Sequence, residues 1–252
     1  MNDQPETAAV GGNGPGKLVF ALALACVGLL IAVALAYRFG AVGVREAFTA
    51  ITWIVWAAAA VSLLALVVLI MAYRAGRTAG VVLAAFALVI GCLSAWVPYG
   101  NRLALRASPR LSDITTDTAR PPAFVAIEAL RKATNARNST AYGPAKARLQ
   151  ASHYPDIKPV VLALPPDRAY LRALQLVKDF GWRVVAADAA AGRIEAYDTS
   201  LFFGFVDDVV IRITAAGRGS RIDIRSSSRV GRRDAAVNAN RVRKLIDGLT
   251  GS

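Results

Sequence analysis

FFGFVDDVVIRITAAGRGSRIDIRSSSRVGRRD, from Phe202 to Asp234, decides the fold of the soluble half of the chain. Val209, Ile211 and Ile213 alternate with Asp208, Val210 and Arg212, and Ile222 and Ile224 alternate with Arg221, Asp223 and Arg225. Alternation of period two marks strands with one apolar and one charged face. The two runs, VDDVVIRIT and SRIDIRSSS, flank AAGRG, a hairpin turn. A serine- and arginine-rich end then leads into a helix from Ala235 to Leu249, with Val242, Leu245, Ile246 and Leu249 as its stripe and Asp234 as its cap.

Upstream, WRVVAAD and GRIEAYD read as two further strands separated by Ala189 to Ala191. Before them, Tyr170, Leu171, Leu174, Val177 and Phe180 recur at helical spacing after Pro165-Pro166, and Gly181 is placed to end that helix. A helix, four strands and a helix predict an α+β domain over residues 123–252, an antiparallel four-stranded sheet with helices on one face. The other face, left to solvent, would carry Arg183, Glu195, Arg212, Arg221, Asp223 and Arg225. Ala123 to Ala133 offers a short helix. Asn135 to Pro166 reads as a long irregular segment, and residues 101–122 as a linker broken by Pro121-Pro122.

The first hundred residues are of another kind. The chain is 55% hydrophobic, with mean hydropathy +0.43, which suits neither an ordinary soluble protein nor a wholly embedded one. Apolar runs at about 18–37, 50–73 and 79–99 each reach the roughly 20 residues that a helix needs to cross a bilayer. Because two runs follow the first, Leu18–Tyr37 reads as a retained span rather than a signal peptide. No charged residue lies within these runs, so residues 17–100 are expected to be a three-helix anchor rather than an ion pathway. Residues 1–16, polar and glycine-rich, read as a disordered tail.

Charge and composition then bound the chemistry. The 30 Lys+Arg outnumber the 17 Asp+Glu, and the excess falls in the second half. That field suits anionic headgroups, nucleic acid or an acidic envelope protein. Membrane tethering disfavours nucleic acid and favours membrane lipids. Cys26 and Cys92 fall in apolar runs and His153 is the sole histidine, so no disulfide framework, metal site or cofactor is expected.

Arg221, Arg225, Arg229 and Arg232, interleaved with Ser226 and Ser228, form a candidate anion site, since arginine forks pair with phosphate or carboxylate. The alternative is an internal ladder matching Asp223 and Glu195 with Arg212, Arg225 and Arg193. Asp207-Asp208 is a possible acidic site, although neighbours on a strand point to opposite faces. A hydrolase-type enzyme would gather one of them with Arg225, Arg229 and Tyr154 or Asp156. No nucleophile motif accompanies these residues, so no catalytic residue is assigned and a non-enzymatic role is favoured. Phe202, Phe203 and Phe205 suit the core or a membrane surface.

DITTDTARPPAF from Asp113, YPDIKP from Tyr154, GWRVVAAD from Gly181, GRIEA from Gly192, FGFVDDVVIRI from Phe203 and SRIDIRSSSRVGRRDAAVNANRVR from Ser220 occur here in order. In these motifs the chain resembles the domain-of-unknown-function family numbered 1499, in the form carried by bacterial membrane proteins. The resemblance implies no activity. It implies membrane-attached or exported relatives, including plastid forms, and hence a multi-pass protein of a bacterial inner membrane with its soluble domain outside the cytoplasm. Lys17 beside the first span agrees with a cytoplasmic tail, whereas Arg38, Arg45, Arg102, Arg106 and Arg110 would then lie outside. Where Arg233 precedes Asp234 and Ala235-Ala236 follow it, the family more often has a small residue before the aspartate and Leu-Gly after it. The protein's partners are therefore expected to be lipid headgroups or another envelope protein, alternatively the other subunits of a membrane complex.

Overall fold

The structure, a computed structural model, describes residues 13–134 and 136–251. The chain divides into two compact units, residues 1–102 and 103–252.

In the first unit, three helices long and apolar enough to cross a membrane follow one another: α1 (Gly14–Arg38), α2 (Val44–Arg74) and α3 (Thr78–Ala107), the last running into the second unit. Each outlasts the apolar run that predicts it. Gly14–Gly16, read as the end of a tail, open α1, with Pro15 at a position where its missing N–H costs nothing. The rest of that tail, residues 1–12, lies outside the described residues. Small side chains let the backbones approach: a Cβ on Gly91 would stand 3.3 Å from the Ala58 carbonyl, and one on Gly16 3.2 Å from that of Gly80. Trp53, Trp56 and Trp96 point outward, as lipid-facing aromatics do.

In the second unit the sheet has six strands, not four: β1 (Asp113–Thr115), β2 (Val160–Leu162), β3 (Arg183–Asp188), β4 (Arg193–Thr199), β5 (Val206–Ala216) and β6 (Gly219–Ser228). All neighbours are antiparallel in the order β1-β6-β5-β4-β3, and β2 also pairs with β6. The outer edge of β6 is thus shared: β1 faces Arg225–Ser227 and β2 faces Ser220–Ile222. The supposed linker therefore holds the end of α3 and an edge strand. The supposed irregular segment holds α5 (Pro144–His153) as well as β2, while Asn135 at its start lies outside the described residues. Strands of three residues show no periodicity, and α5 has no apolar stripe to betray it.

Period-two alternation sorts the side chains onto two faces. Ile194, Val209, Ile211, Ile213, Ile222 and Ile224 pack under α6 (Pro166–Asp179) and α7 (Val237–Thr250) and form the main core. In α6 the buried stripe is Ala169, Tyr170, Ala173 and Val177, and Leu171 is exposed. Gly181, with φ +75°, turns the chain from α6 into β3.

The opposite face is covered too, which corrects the expectation of a solvent-facing charged surface. Residues 116–134 and 136–142, including α4 (Ala126–Ala133), lie over it, and Phe124, Ile127 and Val210 form a small second core with Val185. Of the six residues assigned to that face, Glu195, Asp223 and Arg225 are at most 3% exposed.

Candidate functional site

Burying a charged strand face requires that each charge find a partner, and the covering segment supplies them. Arg225 donates from Nε and Nη2 to the two carboxylate oxygens of Asp113, both at 2.9 Å. It also donates to the Pro122 carbonyl at 3.2 Å and the Thr140 carbonyl at 2.5 Å. The Phe124 and Tyr142 rings lie 5.0 and 5.6 Å from the guanidinium, within cation–π range. Lys146 Nζ reaches Asp113 at 2.8 Å. Burial, and then the charge of Asp113, raise the Tyr142 hydroxyl well above its ordinary pKa.

At one end of this face, Asp208 receives Arg131 Nη1 at 2.6 Å and Arg229 Nη2 at 2.7 Å, with all three side chains buried. Arg229 lies over the Tyr197 ring. At the other end, Arg212 and Arg221 share Asp117 and Asp223 at distances between 2.8 and 3.1 Å. Burial opposes the ionisation of Asp117. The Arg120 backbone N–H, the charge of Arg221, the Ala119 N–H and the charge of Arg212 overcome it and hold the carboxyl below the usual range. Glu195, 0% exposed, accepts from the N–H groups of Val125, Ala126 and Ile127 at 2.9 to 3.1 Å. An internal carboxylate thus occupies the positive end of α4.

A second polar cluster lies on the α7 side. Ser226 Oγ donates to Asn238 Oδ1 at 2.5 Å, and Asn238 Nδ2 donates to Ser228 Oγ at 2.8 Å and to Asp234 Oδ2 at 2.6 Å. Arg241 Nη2 meets Asp198 at 2.9 Å and Asp207 at 3.0 Å. Asp234 accepts the N–H groups of Ala236 and Asn238 from the turn before α7, whose N-cap is Ala236 rather than Asp234 and which opens at Val237 rather than Ala235. Ala235 and Ala236 adopt positive φ to make this turn, +51° and +68°. Burial raises the pKa of Asp234; hydrogen bonds from Asn238 oppose that, and the charge of Asp207 adds to it.

The structure therefore divides the candidate residues. Arg221, Arg225 and Arg229 lie on the α4 face, each bound to aspartate, and Ser226 and Ser228 lie on the α7 face among Asn238, Asp234 and Arg241. Asp207 and Asp208 point to opposite faces, as neighbours on a strand must, and each is paired with arginine. Asp156 binds Arg243. The concave gathering that a hydrolase-type site requires is not formed by these residues.

Arg232 differs. It is exposed in the loop after β6 and, among the described residues, its side chain has no hydrogen-bond or ion-pair partner; the same holds for Arg106 and Arg110. Arg233, beside it, donates to the Arg106 carbonyl at 3.0 Å. Sequence reasoning missed Asp113, Asp117, Arg131, Asn238 and Arg241. The signal for the aspartates was available: a hairpin strand that alternates Ile222 and Ile224 with Arg221 and Arg225 calls for carboxylates elsewhere, and DITTDT holds two.

The family model described as "Protein of unknown function (DUF1499)" matches residues 113–249. It begins at Asp113, the partner of Arg225, and takes in both polar clusters. No curated protein matches the chain.

Proposed function

Since the chain belongs to the family of proteins of unknown function DUF1499, a description that names no activity, we propose that it is a membrane-tethered binding protein whose basic α+β domain lies against anionic lipid headgroups. The observation that carries this reading is the distribution of satisfied and unsatisfied arginines. Arg221, Arg225 and Arg229 are neutralised inside the domain. Arg232, Arg110 and Arg106 are exposed and unpaired among the described residues, grouped where the chain enters the domain. The anion site thus moves from the strand face to this entry end.

Basic clusters next to a membrane span gain about 1 kcal/mol per residue from an anionic leaflet. On this reading the three apolar helices cross a bacterial inner membrane and the domain lies outside the cytoplasm. Lys17 beside the first span and the exported or membrane-attached character of the resembling proteins support that orientation. A reporter fused after Ser252 tests it: activity confined to the cytoplasm overturns the sidedness. Flotation of residues 103–252 with vesicles tests the binding. Equal recovery with neutral and anionic vesicles at low salt overturns it.

A further inference from the structure

We infer that β3, the last strand of the sheet, pairs with β3 of a second copy of the chain, antiparallel and about a twofold axis normal to the sheet. The pairing concerns the second unit by itself and holds whether or not that unit meets lipid. The two ends of the sheet are finished differently. At one end β1 and β2 are three residues each, too short to serve as templates. There Gln150, 1% exposed, also closes β1, accepting the Thr115 N–H at 2.9 Å and donating to the Thr115 carbonyl at 2.6 Å. At the other end β3 runs six residues, Arg183–Asp188, with neither proline nor lysine, and among the described residues no strand pairs with its outer side. An open edge of this length invites a further strand.

The side chains select the occupant. Val184 faces Ala196 and Ala186 faces Glu195, which leaves Val185 as the extra residue of a bulge. In an unbroken strand the first and sixth residues point to opposite faces. Here the bulge puts both on one. Arg183 lies opposite Tyr197, the ring beneath Arg229, and Asp188 lies opposite Arg193, which meets Glu195, so both belong to the α4 face. Val185, packed with Phe124 and Ile127, and Ala186, opposite Glu195, share that face. Val184 and Ala187 lie opposite Ala196 and Ile194 of the main core and take the other. A twofold axis normal to a sheet keeps each face on its own side, so residues set opposite each other must share a face. The register that sets Arg183 against Asp188 of the copy, Val184 against Ala187 and Val185 against Ala186 meets this condition at every step. It also forms two cross-strand pairs of opposite charge. Arg183 is exposed and, among the described residues, its side chain has no hydrogen-bond or ion-pair partner. The Asp188 carboxylate, 45% exposed, accepts the Ala191 N–H at 2.9 Å and reaches Arg193 only at 3.5 Å. A bulge usually spoils an edge for pairing; two copies of it set face to face cancel the offset. The contact is small, but copies held in one bilayer by the three apolar helices meet at a raised effective concentration.

The test uses the full chain in vesicles of neutral lipid at low salt, with a donor or an acceptor dye at the carboxy terminus, and reads association by energy transfer. Arg183→Glu and Asp188→Lys are each expected to weaken association roughly tenfold, because each sets two like-charged pairs opposite one another. Mixing the two variants sets Glu against Lys and Arg against Asp and is expected to restore association, which a misfolded chain cannot do. A wild-type chain that stays monomeric overturns the pairing. Association that neither variant weakens overturns it too and assigns the contact to another surface, as does a mixture of folded variants that fails to recover. Should either charge variant fail to fold, disulfide formation in a Cys26→Ala, Cys92→Ala background decides. Arg183→Cys copies are expected to cross-link to Asp188→Cys copies and far less among themselves, since the two Arg183 positions lie at opposite ends of the paired strands. Cross-linking that is absent, or equal in the mixture and in each variant alone, overturns the pairing.

Discussion

Asp113, the first residue of β1, grips Arg225 of β6 with both carboxylate oxygens at 2.9 Å, closing an ion pair across 112 residues of sequence. The pair is almost wholly buried, so its halves depend on each other. Removing one partner of such a pair costs about 3–5 kcal/mol, because the other charge stays desolvated. Asp113→Ala is expected to lower the stability of residues 103–252 in urea by that amount. Asp113→Ala with Arg225→Met should recover most of it. If the double variant is no more stable than the single one, the pairing is not what holds β1 on the sheet.

Glu195 meets Arg193 Nε at 3.2 Å, but is expected to matter chiefly through the backbone N–H groups that open α4. Replacing it with glutamine puts an amide NH2 where a carboxylate oxygen accepts backbone N–H groups, and an unmet buried donor costs about 1–3 kcal/mol. Hydrogen exchange should locate the effect at the Val125, Ala126 and Ile127 amides, with little change in β5. Uniform loss of protection would speak against this local role.

Ala236 occupies a position, φ +68°, that glycine adopts freely and alanine does not. Ala236→Gly is expected to stabilise the domain by about 1 kcal/mol, the backbone strain of alanine in this region being of that order. The denaturation midpoint should rise at an unchanged m-value. A destabilised variant would mean that the methyl group packs more usefully than the strain costs.

Stability should follow pH in two opposed windows. Asp117 has a lowered pKa in the fold, so its contribution is full above the unfolded carboxylate value and disappears as pH falls through the lower folded value. Asp234 has a raised pKa, so the folded form holds its proton longer. Its contribution is full below the unfolded value and is lost as pH rises from there through the folded one. Asp234→Asn should flatten the second window and leave the first unchanged. Urea titrations across the mildly acidic range measure both, and an unaltered slope in Asp234→Asn would refute the assignment.

Arg110→Glu together with Arg232→Glu is expected to reduce partitioning onto anionic vesicles roughly tenfold or more at low salt, two favourable charges of about 1 kcal/mol each being reversed. Raising ionic strength should shrink the difference. Reversal of Arg218, in the β5–β6 turn, together with Arg168, in the first turn of α6, offers the comparison. If it weakens binding equally, net charge rather than the entry end does the attracting.

The strands of the Phe202–Asp234 stretch, the final helix and the three apolar helices are legible because each carries a periodic pattern long enough to read. The destination of the charged strand face is not. Alternation tells that Arg225 and Asp223 share a face and is silent about what covers it. The covering carboxylates lie more than 100 positions away, in a segment whose regular pieces, among the described residues, are a three-residue strand and the eight-residue α4. Asp207 and Asp208 could be separated in advance, since strand geometry alone divides them. Asn238 and Arg241 could not be placed beside Ser226, because their contact depends on where α7 crosses β6.

The shared edge of β6 also sets an order of events during synthesis. β1 and β2 leave the ribosome long before the strand that receives them, and until Arg212–Arg225 has been made Asp113 has only Lys146 as a counter-charge and Asp117 none of its partners. The domain therefore cannot close piecemeal from its amino-terminal side. Contacts so remote in sequence delay folding until almost the whole chain is present. The three apolar helices, which precede the domain in the chain, are therefore complete while the domain behind them is still extended.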